Sequence, residues 1–188
     1  MKIIAITSTT GPQSGKTTFA KSAFIRKLLG STYKHLRFSE PIARALFRGF
    51  PELLISAGVK TYEDAKVTEL LPGITGRRFM IAMGDVLRRE LREDFFAVVL
   101  QKRLEMLPES TESVLIDDLR KLPELEMLKQ FSESAGHKLH LFNVISPNAG
   151  QDDTELGKVL NCSEDVQFVQ WHTGSDGPKF KVGGDVVG

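Results

Sequence analysis

The residues of this sequence best suited to chemistry are Gly15-Lys16-Thr17-Thr18, which close the segment Thr10-Gly11-Pro12-Gln13-Ser14-Gly15-Lys16-Thr17-Thr18. Glycines let a backbone curl so that successive N–H groups point inward at one anion, and the start of a helix adds positive potential there. Lys16 can then reach the outer phosphates of a nucleoside triphosphate, and the Thr17 hydroxyl can ligand magnesium. The spacing departs from the common phosphate-loop pattern once: its first glycine would fall on Thr10, and a glycine stands at Gly11 instead. The expected nucleotide-binding set is Gly11, Gln13, Ser14, Gly15, Lys16, Thr17 and Thr18.

Two further clusters could handle phosphate or metal. Six of the chain's 11 arginines, Arg77, Arg78, Arg88, Arg89, Arg92 and Arg103, fall in one helical stretch, and a guanidinium grips phosphate bidentately. Glu90, Glu93 and Glu105 lie among them and offer the alternative of a solvated, internally paired helix face. Asp117-Asp118 end the apolar run Ser113-Val114-Leu115-Ile116, and Arg120 follows. Acids at the carboxyl end of a strand beside a phosphate loop can hold magnesium directly or through water. His35, His137, His140 and His172 show no metal-ligand spacing and read as surface or strand residues.

These groups need a scaffold, and composition bounds it. The chain has 188 residues, 41% hydrophobic and 26% charged, which fits one globular domain with its own core and excludes a disordered or fibrous chain. A formal net charge of +1 leaves no global field for a nucleic-acid polymer or a membrane surface, so any anion site must be local. Cys162 has no cysteine partner within the chain, which suits a reducing compartment and gives a cytoplasmic expectation. No apolar run is long enough to span a membrane, and the opening residues are too short for a signal peptide's apolar region.

Ile3 to Ile6 reads as a strand, followed by the glycine-rich loop and a helix from Lys16 to Leu29. A short strand is expected at Leu36 to Phe38, then a helix from Pro41 ending near Gly49. Gly49 to Gly76 reads as loops and short helices, and Arg77 to Leu107 as two helices meeting near Glu93-Asp94. Ser113 to Ile116 and Leu139 to Ile145 read as strands separated by a helix from Pro123 to Phe131. Val166 to Trp171 and Lys179 to Val182 would form the arms of a β-hairpin. This alternation predicts an α/β fold with a parallel sheet and helices on both faces.

The order of segments resembles P-loop nucleoside monophosphate kinases, and most closely the phage-type deoxynucleoside monophosphate kinases. The resemblance rests on Ser14-Gly15-Lys16-Thr17-Thr18, Phe38-Ser39-Glu40-Pro41-Ile42, Gly84-Asp85-Val86-Leu87-Arg88-Arg89 with Asp94-Phe95-Phe96, and Val114 to Arg120 with Pro123-Glu124. It covers about residues 1 to 145. It implies a three-layer P-loop kinase fold in a single domain of residues 1–188. Residues 39–107 would be a helical monophosphate-binding insertion, and 146–188 an atypical lid and C-terminal region. The implied activity is transfer of the γ-phosphate of ATP to a (deoxy)nucleoside monophosphate, with ATP and Mg2+ as ligands. Lys16 and Arg120 would be catalytic, Thr17 and Asp118 would place the metal, and Ser39, Arg77, Arg78, Arg88, Arg89, Asp94 and Arg120 would bind the acceptor. Implied partners are small nucleotides, with no nucleic-acid polymer and no membrane, and a homodimer is left open. No arginine follows Arg120, so the lid arginines of many such kinases have no counterpart. Two other classes stay open: a P-loop ligase of the dethiobiotin synthetase type and a nucleotide-binding regulator.

Overall fold

A computed structural model describes residues 1–9, 14–145, 155–161, 166–174, 177–182 and 185–187. In chain order the elements are β1 (Lys2–Thr7), α1 (Lys16–Ala20), α2 (Ala23–Leu29), β2 (Tyr33–Leu36), α3 (Glu40–Gly49), α4 (Pro51–Ser56), α5 (Tyr62–Val67), β3 (Glu69–Leu71) and β4 (Ile74–Thr75). They continue with α6 (Gly76–Glu90), α7 (Phe95–Glu105), β5 (Ser113–Leu119), α8 (Leu122–Ser134), β6 (Lys138–Ile145), α9 (Glu155–Asn161), β7 (Val166–Gly174), β8 (Gly177–Val182) and β9 (Asp185–Val187). The chain packs as two compact units, one of Met1–Arg37 with Ala97–Gly188 and one of Phe38–Phe96. The helical unit therefore ends inside α7. Ala97, Leu100 and Leu104 are buried, and this part of α7 belongs to the sheet-bearing unit.

That unit is α/β, built on a seven-stranded sheet of order β2-β5-β1-β6-β7-β8-β9. The first five strands in that order are parallel, and β8 and β9 add antiparallel. Residues 166–187 thus extend the sheet by a hairpin and one further strand. Residues 146–154 of the expected lid lie outside the described residues. Ile3, Ile4, Ala5 and Ile6 are all fully buried, as expected of a central parallel strand covered on both faces. One core cluster joins Ile4, Ile6, Leu115, Phe142, Val144 and Val169 of the sheet to Phe19, Ala20, Ile25 and Leu29 of α1 and α2. Phe19 meets Phe142 edge-on with centroids 5.4 Å apart and Phe180 at 5.1 Å, so the first turn after the glycine-rich loop is anchored to β6 and β8. α8 packs against β6 and buries Leu125 and Leu128.

The single helix expected over Lys16 to Leu29 is two. Ser22 has extended backbone, and its hydroxyl accepts from Ile25 N at 3.3 Å, capping α2 afresh. β2 lies at Tyr33–Leu36 rather than Leu36 to Phe38, because pairing with β5 matches Tyr33 to Ser113 and Leu36 to Ile116. No helix among the described residues is long and apolar enough to cross a membrane.

The helical unit contains α3 to α6 and the small β3–β4 hairpin, which the glycine- and proline-rich stretch did not announce. α6 starts at a Thr75 cap whose hydroxyl accepts from Arg78 N at 3.3 Å. Gly76 beside it touches α5 so closely that a Cβ would lie 2.1 Å from the Ala65 carbonyl oxygen. Backbone cannot yield as a flexible side chain can. Gly76→Ala should therefore destabilise this unit by about 2–3 kcal/mol, read as a lowered denaturation midpoint; a parent-like midpoint would contradict the packing.

Candidate active site

In the sheet-bearing unit the glycine-rich loop leaves the end of β1 and turns into α1. Its first residues are tied to β6: Thr9 N donates to Asn143 Oδ1 at 3.2 Å, and Asn143 Nδ2 donates to Thr9 Oγ1 at 3.1 Å. Asn143 is fully buried, so these bonds form where water cannot replace them. Nothing in the sequence reading singled it out, although one amide inside Leu141-Phe142-Asn143-Val144-Ile145 is the kind of break in an apolar strand that marks a buried polar anchor. Gly11 and Gln13 of the expected nucleotide-binding set lie outside the described residues.

At the other end of the loop Ser14 is buried, and Gly15 has φ 84°, ψ 5°. That left-handed conformation suits glycine, and it aims the chain into α1, where Phe19 N donates to Gly15 O at 2.9 Å. Gly15 supplies no side-chain cap to this helix start, and the first N–H groups of a helix are suited to an anionic acceptor. Thr17 and Thr18 are exposed on the first turn.

Lys16 is electrostatically perturbed. Burial pushes its pKa down to about 8 from 10.5; the positive charge of Arg120 adds to this, while Asp118, then Asp117 and Glu124, pull the other way. A nearby anion favours the charged form of such a half-buried ammonium. The pH dependence has a definite sign. An incoming phosphate should raise the Lys16 pKa, so binding above about pH 8 draws in a proton and affinity falls as pH rises.

The two acids do not end their strand, as the sequence reading expected, but lie within β5, which runs on to Leu119. Between Ala5 and Thr7, β1 advances two residues while β5 advances three, from Ile116 to Leu119. The extra residue is taken up at Asp117-Asp118, and Thr7 Oγ1 donates to Leu119 O at 2.8 Å just beyond it. A bulge of this kind re-aims side chains.

Asp117 is spoken for. His35 Nε2 lies 2.9 Å from Asp117 Oδ1, Arg37 Nε donates to the same oxygen at 3.0 Å, and Arg37 Nη2 donates to Oδ2 at 3.3 Å. Arg103 Nη1 in turn donates to Arg37 O at 3.2 Å. Burial opposes ionisation of Asp117, but the hydrogen bonds and positive charge from His35 and Arg37 hold its carboxyl well below the usual carboxylate range. Asp117 is engaged by His35 and Arg37, and Asp118 is the acid that most strongly favours the charged form of Lys16.

Replacing Asp117 by Asn should cost about 2 kcal/mol, because Arg37 and His35 lose a partner whose side chain is only 8% exposed. A carboxyl with a depressed folded pKa stabilises above its ordinary value of 3.8, and the increment is lost as pH falls below that. Parent and variant stabilities should therefore converge in acid, and a pH-independent difference would contradict this.

Arg120 is exposed, but its backbone is not loose. Glu124 Oε2 accepts from Arg120 N at 2.9 Å and Lys121 N at 3.1 Å at the start of α8, so the buried Glu124 fixes the chain carrying the guanidinium. No group of three His, Cys, Asp or Glu among the described residues could hold a metal by itself. Thr17 and Asp118 suit magnesium, which keeps several waters and takes its remaining oxygens from phosphate.

The helical unit holds the rest of the expected acceptor set. Ser39 is the half-buried residue preceding α3. Arg77 and Arg78 are exposed at the start of α6, with Arg78 Nη1 donating to Gly73 O at 3.2 Å. Arg88 lies over the Phe96 ring, 4.7 Å from its centroid, and 3.6 Å from Asp85. Arg89 Nε donates to Glu90 at 2.7 Å, and Asp94 is bound by both Arg92 Nε and Arg92 Nη2. Arg88, Arg89 and Asp94 thus each have a partner inside this unit, and Arg77, Arg78 and Arg89 are exposed. No protein-family model matches the chain, and no curated protein matches it.

Proposed function

We propose that the chain is a phosphotransferase of the P-loop nucleoside monophosphate kinase type, which moves the γ-phosphoryl group of ATP to a (deoxy)nucleoside monophosphate and yields two diphosphates. The observation that carries the reading is the grouping of Lys16, its pKa lowered by burial, with Asp118 and Arg120 beside a helix start opened by left-handed Gly15. Phosphoryl transfer requires positioning and charge neutralisation rather than covalent chemistry from the protein, and this grouping provides both.

Lys16 would hold the outer phosphate oxygens, the N–H groups of the first turn of α1 would bind phosphate oxygens of the donor, and Arg120 would balance charge on the transferring group. Asp118 would orient the metal's water shell, and the Thr17 hydroxyl would ligand the metal directly. Magnesium, when bound, supplies charge neutralisation on the donor phosphates. The exposed guanidinium groups of Arg77 and Arg78 in the helical unit are cations for an acceptor's phosphate that the donor does not use.

Removing the Thr17 hydroxyl should weaken ATP binding about tenfold with magnesium present and little without it, since water must then replace a fixed ligand. Calorimetric titration of Thr17→Ala with and without magnesium checks this; equal affinities of variant and parent with magnesium would remove the metal role of Thr17. The reading as a whole is tested by ADP formation that depends on an added monophosphate.

A further inference from the structure

β6 carries a polar side chain where its neighbours are apolar. Leu141, Phe142 and Val144 are buried, and Asn143 among them is fully buried as well. Phe142 and Val144 belong to the core formed with α1 and α2, so strand alternation puts Asn143 on the other face of the sheet. Its register partner is Thr7, the last residue of β1. An apolar side chain would serve the core at this position, whereas a buried amide must recover in hydrogen bonds what it loses in hydration. Asn143 recovers it from Thr9: Oδ1 accepts from Thr9 N at 3.2 Å, and Nδ2 donates to Thr9 Oγ1 at 3.1 Å. What the amide adds to apolar packing is therefore a defined path for the chain where it leaves β1.

That path leads into the glycine-rich loop. β1 is tied on its other side too, through Thr7 Oγ1, which donates to Leu119 O at 2.8 Å, one residue before Arg120. At the far end of the loop Ser14 is buried, and Phe19 of α1 is seated against Phe142, the neighbour of Asn143. The loop is thus held at both ends, and Asn143 is the hold at its start. A loop fixed before its ligand arrives binds without the entropic cost of being ordered.

We propose that Asn143 is a positioning residue of the donor site: through Thr9 it fixes the start of the glycine-rich loop and so sets affinity for the triphosphate without touching it. The proposal rests on the reading of Gly15 to Thr18 as the donor's phosphate site.

Calorimetric titration with ATP and magnesium compares the parent chain with Asn143→Leu, Thr9→Val and Thr9→Ser. Asn143→Leu keeps the branched heavy-atom shape, removes both hydrogen bonds and should weaken ATP binding at least tenfold. Thr9→Val keeps the backbone bond, removes the hydroxyl and should weaken it at least threefold. Thr9→Ser keeps the hydroxyl and should bind ATP within twofold of the parent. Lost packing would give the opposite order, because serine is the smaller side chain. In steady-state kinetics the loss should appear in KM for ATP, with KM for the monophosphate within twofold. Parental ATP affinity in Thr9→Val, or equal weakening in Thr9→Val and Thr9→Ser, overturns the proposal whether or not Asn143→Leu folds. So does a matching rise in KM for the monophosphate. A parent chain that binds no ATP overturns the donor-site reading and the proposal with it. A parent that binds ATP but transfers to no monophosphate ends the kinase reading alone, and the three variants' ATP affinities then decide the role of Asn143.

Discussion

Lys16→Met should lower kcat for phosphoryl transfer by roughly 10²–10³-fold or more, about 3–4 kcal/mol of transition-state stabilisation, while the protein folds normally. Methionine keeps the apolar stem of the side chain and removes only the ammonium. The same change should raise the stability of the nucleotide-free protein at pH 7 by about 1–2 kcal/mol, allowing for partial solvent screening. The reason is that the folded pKa of Lys16 lies at about 8, below its ordinary 10.5. The folded state then binds fewer protons between those values, so the cost of the buried charge is fully present below about pH 8 and disappears as pH rises past 10.5. Denaturation curves of parent and variant should thus differ most near neutrality and converge at high pH. A folded Lys16→Met protein with parental turnover would end the phosphate-loop account.

The second large effect belongs to Arg120. Arg120→Lys keeps the charge but loses the planar fork, and should lower kcat/KM for the monophosphate by about 2–4 kcal/mol with ATP binding largely retained. The structure gives this residue a fixed base, since Glu124 holds its backbone N–H at 2.9 Å, and a substitution confined to the guanidinium leaves that anchor in place. Glu124→Gln provides the complement: weakening the anchor should lower kcat with the arginine still present. Steady-state kinetics with each substrate varied in turn measure both, and an Arg120→Lys variant with unaltered monophosphate kinetics would exclude the assigned role.

The parts of the fold that the sequence made legible are those in which apolar runs end at strong breakers. Ile3 to Ile6 stops at Thr and Gly, Leu139 to Ile145 stops at Ser146-Pro147, and Pro123 falls in the first turn of α8. β2 was displaced because Tyr33, Lys34 and His35 are exposed and only Leu36 is buried, so its place is set by pairing with β5 and not by any apolar pattern. The break between α1 and α2 rests on one serine whose capping role needs the backbone geometry to be seen.

The site divides in the same way. Gly15, Lys16 and Thr17 announce themselves because their chemistry is local to one turn. The separate fates of Asp117 and Asp118 depend on a bulge and on His35 in β2 and Arg37 just after it, some 80 residues earlier in the chain. Asn143 reaches Thr9 across 134 residues. Contacts of that range leave no periodicity in the sequence.

The central claim is that a phosphoryl group passes from ATP to a monophosphate. Phosphorus NMR of the chain with ATP, magnesium and each common nucleoside and deoxynucleoside monophosphate in turn measures it directly. The account predicts that at least one monophosphate gives ADP and its own diphosphate in equal amounts, with no free phosphate and no ADP when the monophosphate is left out. ADP with free phosphate regardless of the monophosphate, or no turnover with any of them, would contradict it.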